Sequence, residues 1–229
     1  YKTAYILYKK ILEPSFGTVN FLVEIVSRLI EQCKLNNYNI RKIKNTLNDN
    51  VYGFEIDKNL YDNTIVRLNE LVNNLCGITD INWKNLRNGD TLSFYQTFKN
   101  MDYVVGNPPF VRIHNVDEKD RYRLKEFEFS NKGNVDMYIT FYEIGLYLLK
   151  ENGVLGYITP NSFIKNTSQS KFRKHLIENT LLSKLYDFRN EKVFEDADTY
   201  NCICILSKQN NNTIDYKSLH ETLDTIEEN

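Results

Sequence analysis

Asp102-Tyr103-Val104-Val105-Gly106-Asn107-Pro108-Pro109-Phe110 is the stretch of this sequence that decides the fold. Its β-branched and aromatic run, Tyr103–Val105, is typical of a buried strand. The two prolines cannot continue a sheet ladder, because neither donates an N–H and both fix φ. The side-chain amide of Asn107 and the carbonyl of Pro108 are therefore expected to point out of the strand end. With Phe110 beside them, they suit a flat heterocyclic amine, since two oxygens accept both amine hydrogens while the ring stacks on the heterocycle.

The bulk properties are those of one large globular domain, or of one domain with appendages. The chain has 229 residues and a formal net charge of −1, so it can bury a sizeable core but gives no global electrostatic case for nucleic acid. Any phosphate-binding surface must be local or lie on segments outside this chain. There is no signal-like start and no apolar run of roughly 18 residues. We therefore expect a soluble, cytoplasmic protein with no membrane partner.

The cysteines and histidines do not point to a metal site. The cysteines lack CxxC pairs and histidine partners at ligand spacing, and we expect all four to be core residues. No metal is therefore expected. The four cysteines are Cys33, Cys76, Cys202 and Cys204.

Apolar runs alternate with helix-spaced segments along the chain. This alternation predicts an α/β fold with a mostly parallel central sheet of about seven strands and helices on both faces. Strands are expected near Ile11–Leu12, Val51–Phe54, Ile81–Leu86, Tyr103–Val105, Val154–Ile158, Leu181–Phe188 and Tyr200–Leu206. Helices are expected at Phe21–Leu29, Leu60–Leu75, Met137–Leu149 and Ser170–Asn179. Residues 36–50 are predicted as a polar insertion with a short helix, and 111–133 as a functional lid or a disordered loop.

Polar or small residues follow four of the predicted strands. In open α/β sheets ligands bind beyond the carboxyl ends of the strands. Glu55 follows the second strand, where a carboxylate can accept from both ribose hydroxyls, and Asp90 is able to accept from a purine amine. Each acid by itself also fits a solvated loop or a turn. Their order along alternating strand and helix units favours a ligand site.

With these motifs in this order, the chain resembles the S-adenosylmethionine-dependent amino-methyltransferases. It is most similar to the γ-type N6-adenine DNA methyltransferases of restriction–modification systems, which implies a Rossmann-like class I methyltransferase fold. The matching stretches are Glu13–Phe21, Gly53–Asp57, Asn88–Asp90, Asn107–Phe110, Asp136–Phe141, Gly153–Phe163 and Glu191–Phe194.

The resemblance implies transfer of a methyl group from S-adenosylmethionine to the N6 amine of an adenine flipped out of double-stranded DNA. Catalytic roles are implied for Asn107, Pro108 and Phe110, and stacking on the target base for Phe110 and Phe194. Cofactor binding is implied for Glu13, Pro14, Ser15, Gly17, Glu55, Ile56, Asp90, Asn107 and Phe141.

The chain departs from the family pattern in its cofactor loop and at both ends. Val19 stands where the loop normally has a second glycine, and a β-branched residue is expected to reshape the backbone there. Most of the family's upstream cofactor segment is not present. We expect residues 1–208 to form the catalytic domain and 209–229 a polar tail or the start of a linker. A recognition domain, and a nuclease domain or subunit if one accompanies it, would then lie outside this chain.

Two alternatives remain open from the sequence. The same tetrapeptide fits a methyltransferase that acts on ribosomal RNA adenine or on a protein glutamine, since both present a planar amine. A catalytically silent DNA-binding module of the same fold is the other alternative, and Val19 with the short upstream segment is its support.

Overall fold

The chain divides into two units in the computed structural model, which describes residues 4–18, 20–131, 136–189, 200–209 and 211–218. The first unit runs to Gly106 and takes in Tyr147–Gly153. The second runs from Asn107 to Leu146 and continues from Val154. The boundary after Gly106 falls directly before the Asn-Pro-Pro-Phe tetrapeptide.

The first unit is built on parallel strands. Their order is β3-β2-β1-β4, with the first residues of β5 beyond β4. The first two strands are buried at every position, as expected when both faces of a parallel sheet are covered. Their carboxyl ends consequently meet at one edge of the sheet. The strands are β1 Ile11–Glu13, β2 Val51–Glu55, β3 Leu86–Asn88, β4 Met101–Gly106 and β5 Leu149–Pro160.

Amphipathic helices pack an apolar core against this sheet. The helices are α1 Asn20–Leu35, α2 Ile40–Asn50, α3 Lys58–Cys76 and the short α4 Thr91–Phe94. Asp57 caps the N-terminus of α3, and Gly77, in the left-handed region, ends that helix. The buried core of this unit includes Leu22, Val26, Leu29, Leu47, Val51, Leu68 and Val72.

A charged cluster holds the starts of three strands together at the opposite end of this sheet. The Asp102 carboxylate of β4 lies 3.2 Å from the Lys9 ammonium and 2.5 Å from that of Lys150. It also accepts the backbone N–H of Lys10 at 3.0 Å. One buried acid thereby links residues beside β1, β4 and β5.

The second unit contains the remainder of the sheet. Its strand order is β5-β7-β6-β8, with β7 antiparallel to both of its neighbours and β8 parallel to β6. Cys202 and Cys204 are fully buried in β7, as expected of core cysteines. The remaining elements are β6 Leu182–Asp187, β7 Asn201–Ser207, β8 Asp215–Ser218, α5 Glu118–Leu124, α6 Met137–Leu148 and α7 Ser170–Glu178.

Aromatic side chains form much of the core of this second unit. The Tyr142 ring centroid lies 4.8 Å from that of Phe172 and 5.2 Å from that of Tyr157. Phe163 packs on the same cluster, 5.6 Å from Phe172 between centroids. The loop after β5 is therefore held by aromatic contacts from α6 and α7.

The predicted fold class is confirmed, with corrections at two strands. Eight strands are present in the described part of the chain, in place of about seven. The third strand begins at Leu86 and not at Ile81. Ile81 and Trp83 are buried without strand pairing, and Trp83 has φ +41°, which an extended strand does not allow. Burial of the apolar run therefore comes from irregular backbone at this place.

The predicted polar tail is also corrected where the structure describes it. Residues 215–218 form β8, which pairs with β6 from Lys184 to Asp187. The side-chain amide of Asn211 donates to the carbonyl oxygens of Thr180 and Gln209, both at 2.8 Å. The exposed residues of this edge strand carry no apolar alternation, so the sequence pattern did not reveal it.

The segment predicted as a lid or disordered loop is ordered through residue 131. It contains α5, and Leu124, Phe127 and Phe129 are buried. Glu143 of α6 accepts the backbone N–H groups of Glu128 and Phe129, each at 2.8 Å. No helix in the described part of the chain is long and apolar enough to span a membrane.

Candidate functional site

The carboxylate of Glu55, at the end of β2, is held by two backbone N–H groups. Gly17 donates to Oε2 at 2.8 Å, and Asp57 donates to Oε1 at 2.9 Å. Glu55 is 6% exposed, so its oxygens are fixed in direction. Each oxygen can still accept a further hydrogen bond. The pair of oxygens is thus pre-oriented for two adjacent hydroxyl groups.

Asn88, at the end of β3, positions the backbone beside that carboxylate. Its side-chain amide donates to the carbonyls of Glu55 at 2.8 Å and Ile56 at 3.2 Å. Ile56 itself is 65% exposed. An exposed apolar side chain next to a fixed carboxylate suits a ligand with one apolar ring and one polyhydroxyl ring.

Two buried polar oxygens, one at the end of β1 and one in the loop after it, have no hydrogen-bond partner among the described residues. They are Oε2 of Glu13 and Oγ of Ser15. Burial first, and then the neighbouring Glu55 carboxylate, raise the pKa of Glu13 well above its ordinary value. Unsatisfied buried polar atoms are uncommon in native proteins and call for a partner. This loop therefore offers unused acceptors for a polar ligand.

The same loop packs closely on β2 at a glycine. A Cβ atom on Gly53 would lie 2.7 Å from Phe16 Cδ1 and 3.0 Å from the Glu13 carbonyl oxygen. The N–H of Phe16 donates to the carbonyl of Phe54 at 3.1 Å. Only a residue without a side chain allows this approach, so Gly53 contributes to the shape of the predicted cofactor loop.

Asp90 caps α4, and α4 in turn contacts the loop after β1. The carboxylate accepts from the N–H of Leu92 at 2.9 Å and from the hydroxyl of Ser93 at 2.8 Å. The buried hydroxyl of Thr91 donates to the carbonyl of Pro14. Asp90 is therefore a structural residue, and its predicted contact with adenine would use the remaining acceptor capacity of its oxygens.

Phe94 is a further candidate residue of this site, and the sequence analysis did not identify it. The ring is 50% exposed, and a Cβ on Gly89 would lie 3.1 Å from its Cδ2 atom. It follows Asp90 by four residues, one helical turn along α4. That spacing from the acidic motif was the signal in the sequence that could have found it.

The tetrapeptide begins the second unit, directly after β4. The side chain of Asn107 is exposed and has no hydrogen-bond partner among the described residues, whereas Pro108 is buried. Asn107 can therefore accept a hydrogen from a ligand without first breaking an internal bond. The predicted pairing of the Asn107 amide with the Pro108 carbonyl stays a prediction.

Phe110 is half-buried and is supported from one side by α6. Its ring meets Tyr138 edge-on, with centroids 6.4 Å apart and planes at 83°. The Tyr138 hydroxyl shares a hydrogen bond of 3.1 Å with Ser162, and Tyr142 shares one of 2.8 Å with Thr159. The Thr159–Phe163 signature thus anchors Tyr138 and Tyr142 of α6, and Tyr138 contacts Phe110.

The three other predicted site features have different outcomes. Phe141 is 4% exposed and its carbonyl accepts from the Tyr157 hydroxyl at 3.3 Å, so it presents little ring surface to a ligand. Val19 and Phe194 lie outside the described residues.

The residues of the first unit fit S-adenosylmethionine on the chemistry of their donor set. The bidentate Glu55 suits ribose hydroxyls, and exposed Ile56 suits the adenine face. The unpartnered oxygens of Glu13 and Ser15 suit a charged, hydrogen-bonding end group.

The sequence profile of the Eco57I restriction-modification methylase family matches residues 20–194. The Type II restriction enzyme and methyltransferase RM.Eco57I of Escherichia coli is 36% identical over 50% of this chain. The Type II methyltransferase M.BstVI of Geobacillus stearothermophilus is 28% identical over 88% of it.

Solved structures agree with the fold. The chain is similar to a class I S-adenosylmethionine-dependent methyltransferase from Listeria monocytogenes, with TM-score 0.64 and 18% identity over 95% of this chain and 63% of that one. It is also similar to the Type ISP restriction-modification enzyme LlaGI, determined with a DNA substrate mimic, with TM-score 0.75 and 18% identity over 92% of this chain and 21% of that one.

The chain spans only part of these relatives. It covers 12% of the length of RM.Eco57I and 37% of M.BstVI. The family match, by contrast, takes in most of the chain and includes the loops after β2, β3 and β4. The chain belongs to the Eco57I restriction-modification methylase family.

Proposed function

We propose that this chain is the catalytic part of an enzyme that transfers a methyl group from S-adenosylmethionine to the N6 amine of an adenine flipped out of double-stranded DNA. The enzyme would act within a restriction–modification system. The observation that carries the proposal is the free, exposed amide of Asn107 at the end of a buried strand, followed by a rigid proline and a supported aromatic ring. The names of the relatives, which describe methyltransferases and restriction enzymes, support the same reaction class.

The adenine amine is a poor nucleophile because its lone pair is delocalised into the ring. Asn107 and the Pro108 carbonyl would accept its two hydrogens, which favours a pyramidal nitrogen and localises that pair. The positions of these acceptors are set by β4 and by the fixed φ of proline. Preorganised dipoles of this kind need no rearrangement at the moment of reaction.

S-adenosylmethionine would supply an electrophilic methyl group on its sulfonium. Glu55 would hold the ribose and Ile56 would cover one face of the cofactor adenine. Asp90, which also caps α4, would accept from the adenine amine. These residues position the cofactor, and positioning is a major source of rate in methyl transfer.

The target adenine cannot be reached inside a duplex, so it has to leave the base stack. Flipping costs a few kcal/mol, and stacking on an aromatic ring returns about 1–3 kcal/mol. Phe110 is the ring proposed for this contact, and Tyr138 keeps it in place. Phe194 remains a proposal for a second stacking residue.

The test is transfer of labelled methyl from S-adenosylmethionine to unmethylated DNA, bulk RNA and protein extract in parallel. Asn107→Ala is compared with the unchanged chain and with Asn63→Ala, a substitution at an exposed site on α3. We expect N6-methyladenine in DNA, lowered by about 10²–10³-fold in Asn107→Ala, since one preorganised acceptor is removed, and unchanged in Asn63→Ala.

Each other outcome contradicts a stated part of the proposal. Label in RNA or protein, lost in Asn107→Ala, would keep the reaction and overturn the substrate. Label in DNA that survives Asn107→Ala would overturn the role of the tetrapeptide. No label in any substrate, together with no measurable binding of S-adenosylmethionine, would favour the catalytically silent alternative.

A further inference from the structure

The carboxyl group of Glu13 is a buried acid without a counterion in the part of the chain that the structure describes. The residue is the last of β1 and is 2% exposed, and its Oε2 atom has no hydrogen-bond partner among the described residues. An ionised carboxylate in such a place is strongly disfavoured, and a group so placed takes up a proton instead. The geometry alone therefore favours the neutral acid in the free protein.

The groups around Glu13 also favour its neutral, protonated form. From β2, the Glu55 carboxylate acts as a like charge, and from α1 the backbone N–H of Leu22 acts in the opposite direction. Gly106, at the end of β4, also lies against this carboxyl group, since a Cβ atom on it would be 3.7 Å from Glu13 Oε1. Burial and the neighbouring acid together raise the pKa of Glu13. No cation is among the groups that act on it in the described part of the chain.

We infer that Glu13 holds a proton in the free protein and loses it to solvent when a cationic group of S-adenosylmethionine binds beside it. The neutral acid and the cofactor cation are thereby converted into a carboxylate–cation pair and a proton released to the buffer. This inference rests on the proposed function, because it takes S-adenosylmethionine as the ligand.

The cofactor carries two cations, the sulfonium and the α-ammonium group, and either one could pair with the carboxylate. In a site shielded from water, an ion pair is much stronger than in bulk solvent. Binding would then favour the ionised form of Glu13. Between the pKa of Glu13 in the complex and that in the free protein, affinity rises with pH, by up to tenfold per pH unit for one proton.

The experiment is titration calorimetry of the 229-residue chain with S-adenosylmethionine at about pH 6.5, in buffers of different ionisation enthalpy. The slope of observed enthalpy against buffer enthalpy gives the protons released. We expect net proton release, up to about one proton per ligand bound. Parallel titrations with S-adenosylhomocysteine, which keeps only the ammonium, and methylthioadenosine, which has neither cation, identify the group responsible.

Release with both amino-acid ligands assigns the pairing to the ammonium, and release with S-adenosylmethionine alone assigns it to the sulfonium. Glu13→Gln should bind more weakly and release no proton, whereas Glu31→Gln, an exposed acid on α1, should behave like the unchanged chain. Binding of S-adenosylmethionine without proton release would overturn the inference and leave the proposed function intact. Absence of binding would overturn both.

A second readout needs no cofactor. For an acid whose pKa is raised by folding, the stabilising effect of protonation is present at low pH and is lost as pH rises through the folded-state pKa. Thermal unfolding of the ligand-free chain between about pH 5 and 8 should therefore show stability falling with pH relative to Glu13→Gln. Equal pH dependence in the two proteins would mean that Glu13 is already ionised, which also overturns the inference.

Discussion

The Glu55 carboxylate holds the backbone around it in place, and its oxygens are also proposed to bind a ligand. The Gly17 N–H comes from the loop after β1 and the Asp57 N–H from the start of α3. Both donors would be left without an acceptor if the carboxylate were removed. A loss of cofactor binding in a Glu55 variant therefore has to be separated from a loss of loop structure.

Glu55→Gln is expected to lower the free energy of unfolding by about 1–3 kcal/mol, since an amide NH2 would replace one acceptor and face a buried N–H donor. Urea unfolding measures this change. Glu31→Gln removes the same charge at an exposed position and is the control. Unchanged stability in Glu55→Gln would mean that the two N–H groups are satisfied in another way.

The residues of the site could be predicted from the sequence where they follow strands in a fixed order. Glu55, Asp90 and Asn107 do lie at the ends of β2, β3 and β4 as the sequence predicted, and their roles in a site stay predictions. The contacts that hold them could not be predicted, because they depend on which backbone atoms the strand register brings together. Asn88 binding the Ile56 carbonyl and Thr91 binding the Pro14 carbonyl are contacts of this kind.

At the scale of the elements, the loop after β1 packs so closely on β2 that position 53 has no room for a side chain. Gly53→Ala is expected to lower the free energy of unfolding by about 1–3 kcal/mol, because the added methyl group would overlap the Phe16 ring and press on backbone. It should also weaken S-adenosylmethionine binding through the displaced loop. Urea unfolding and calorimetry check the two effects, and full stability in Gly53→Ala would show that Phe16 can move aside.

The charged cluster at the other end of the sheet gives a pH prediction. Burial by itself would raise the pKa of Asp102, but hydrogen bonds from Lys150, the Lys10 N–H and Lys9 outweigh it, and the pKa lies below its ordinary value. A carboxyl with a lowered folded-state pKa stabilises the protein above its unfolded-state pKa, and this effect is lost as pH falls through the folded value.

Asp102→Asn is accordingly expected to cost about 3 kcal/mol at neutral pH, because two lysines lose a partly buried partner. The difference from the unchanged chain should shrink below about pH 4. Denaturant unfolding across this range measures it. Asp49→Asn, which breaks the exposed pair with Lys84, should leave the free energy of unfolding nearly unchanged. If Asp102→Asn stayed less stable than the unchanged chain in acid, the electrostatic origin of this stability difference would be contradicted.

The elements that the sequence reading missed share a physical cause. β8 is an exposed edge strand whose stability comes from backbone pairing with β6 and from the Asn211 amide, and neither leaves an apolar period. In the segment before residue 131, α5 buries mainly Leu124, and the backbone after it is held by Glu143. Long, buried elements such as α6 were predictable because packing follows their pattern.

At the scale of the whole chain, the net charge limits how tightly this chain binds DNA by itself. The net charge is −1, and basic side chains near the Thr159–Phe163 loop are already engaged. Arg173 donates to the carbonyls of Phe163 and Asn166, and Lys171 donates to that of Glu128. These two side chains are therefore already hydrogen-bonded within the protein.

The 229-residue chain should therefore bind duplex DNA weakly, with log affinity falling against log salt at a slope no steeper than about −3, which corresponds to about three phosphate contacts. Fluorescence anisotropy with a labelled duplex at several salt concentrations measures the slope. Lys165→Gln, at an exposed position after β5, tests whether this residue is one of the contacts. A much steeper slope would mean that a local basic surface exists in spite of the overall charge.

The strand order β5-β7-β6-β8 has a consequence for synthesis on the ribosome. β5 and β6 are synthesised before β7, which lies between them in the sheet. Until β7 is made, the edges of β5 and β6 that pair with it stay open. At about 5–20 residues per second, roughly 2–9 s pass between completion of β5 at residue 160 and of β7 at residue 207. During that interval the nascent chain carries open strand edges, which readily pair with other chains. Protection by a chaperone, or slow dilution from denaturant in the test tube, should therefore decide how much of this protein reaches its native state.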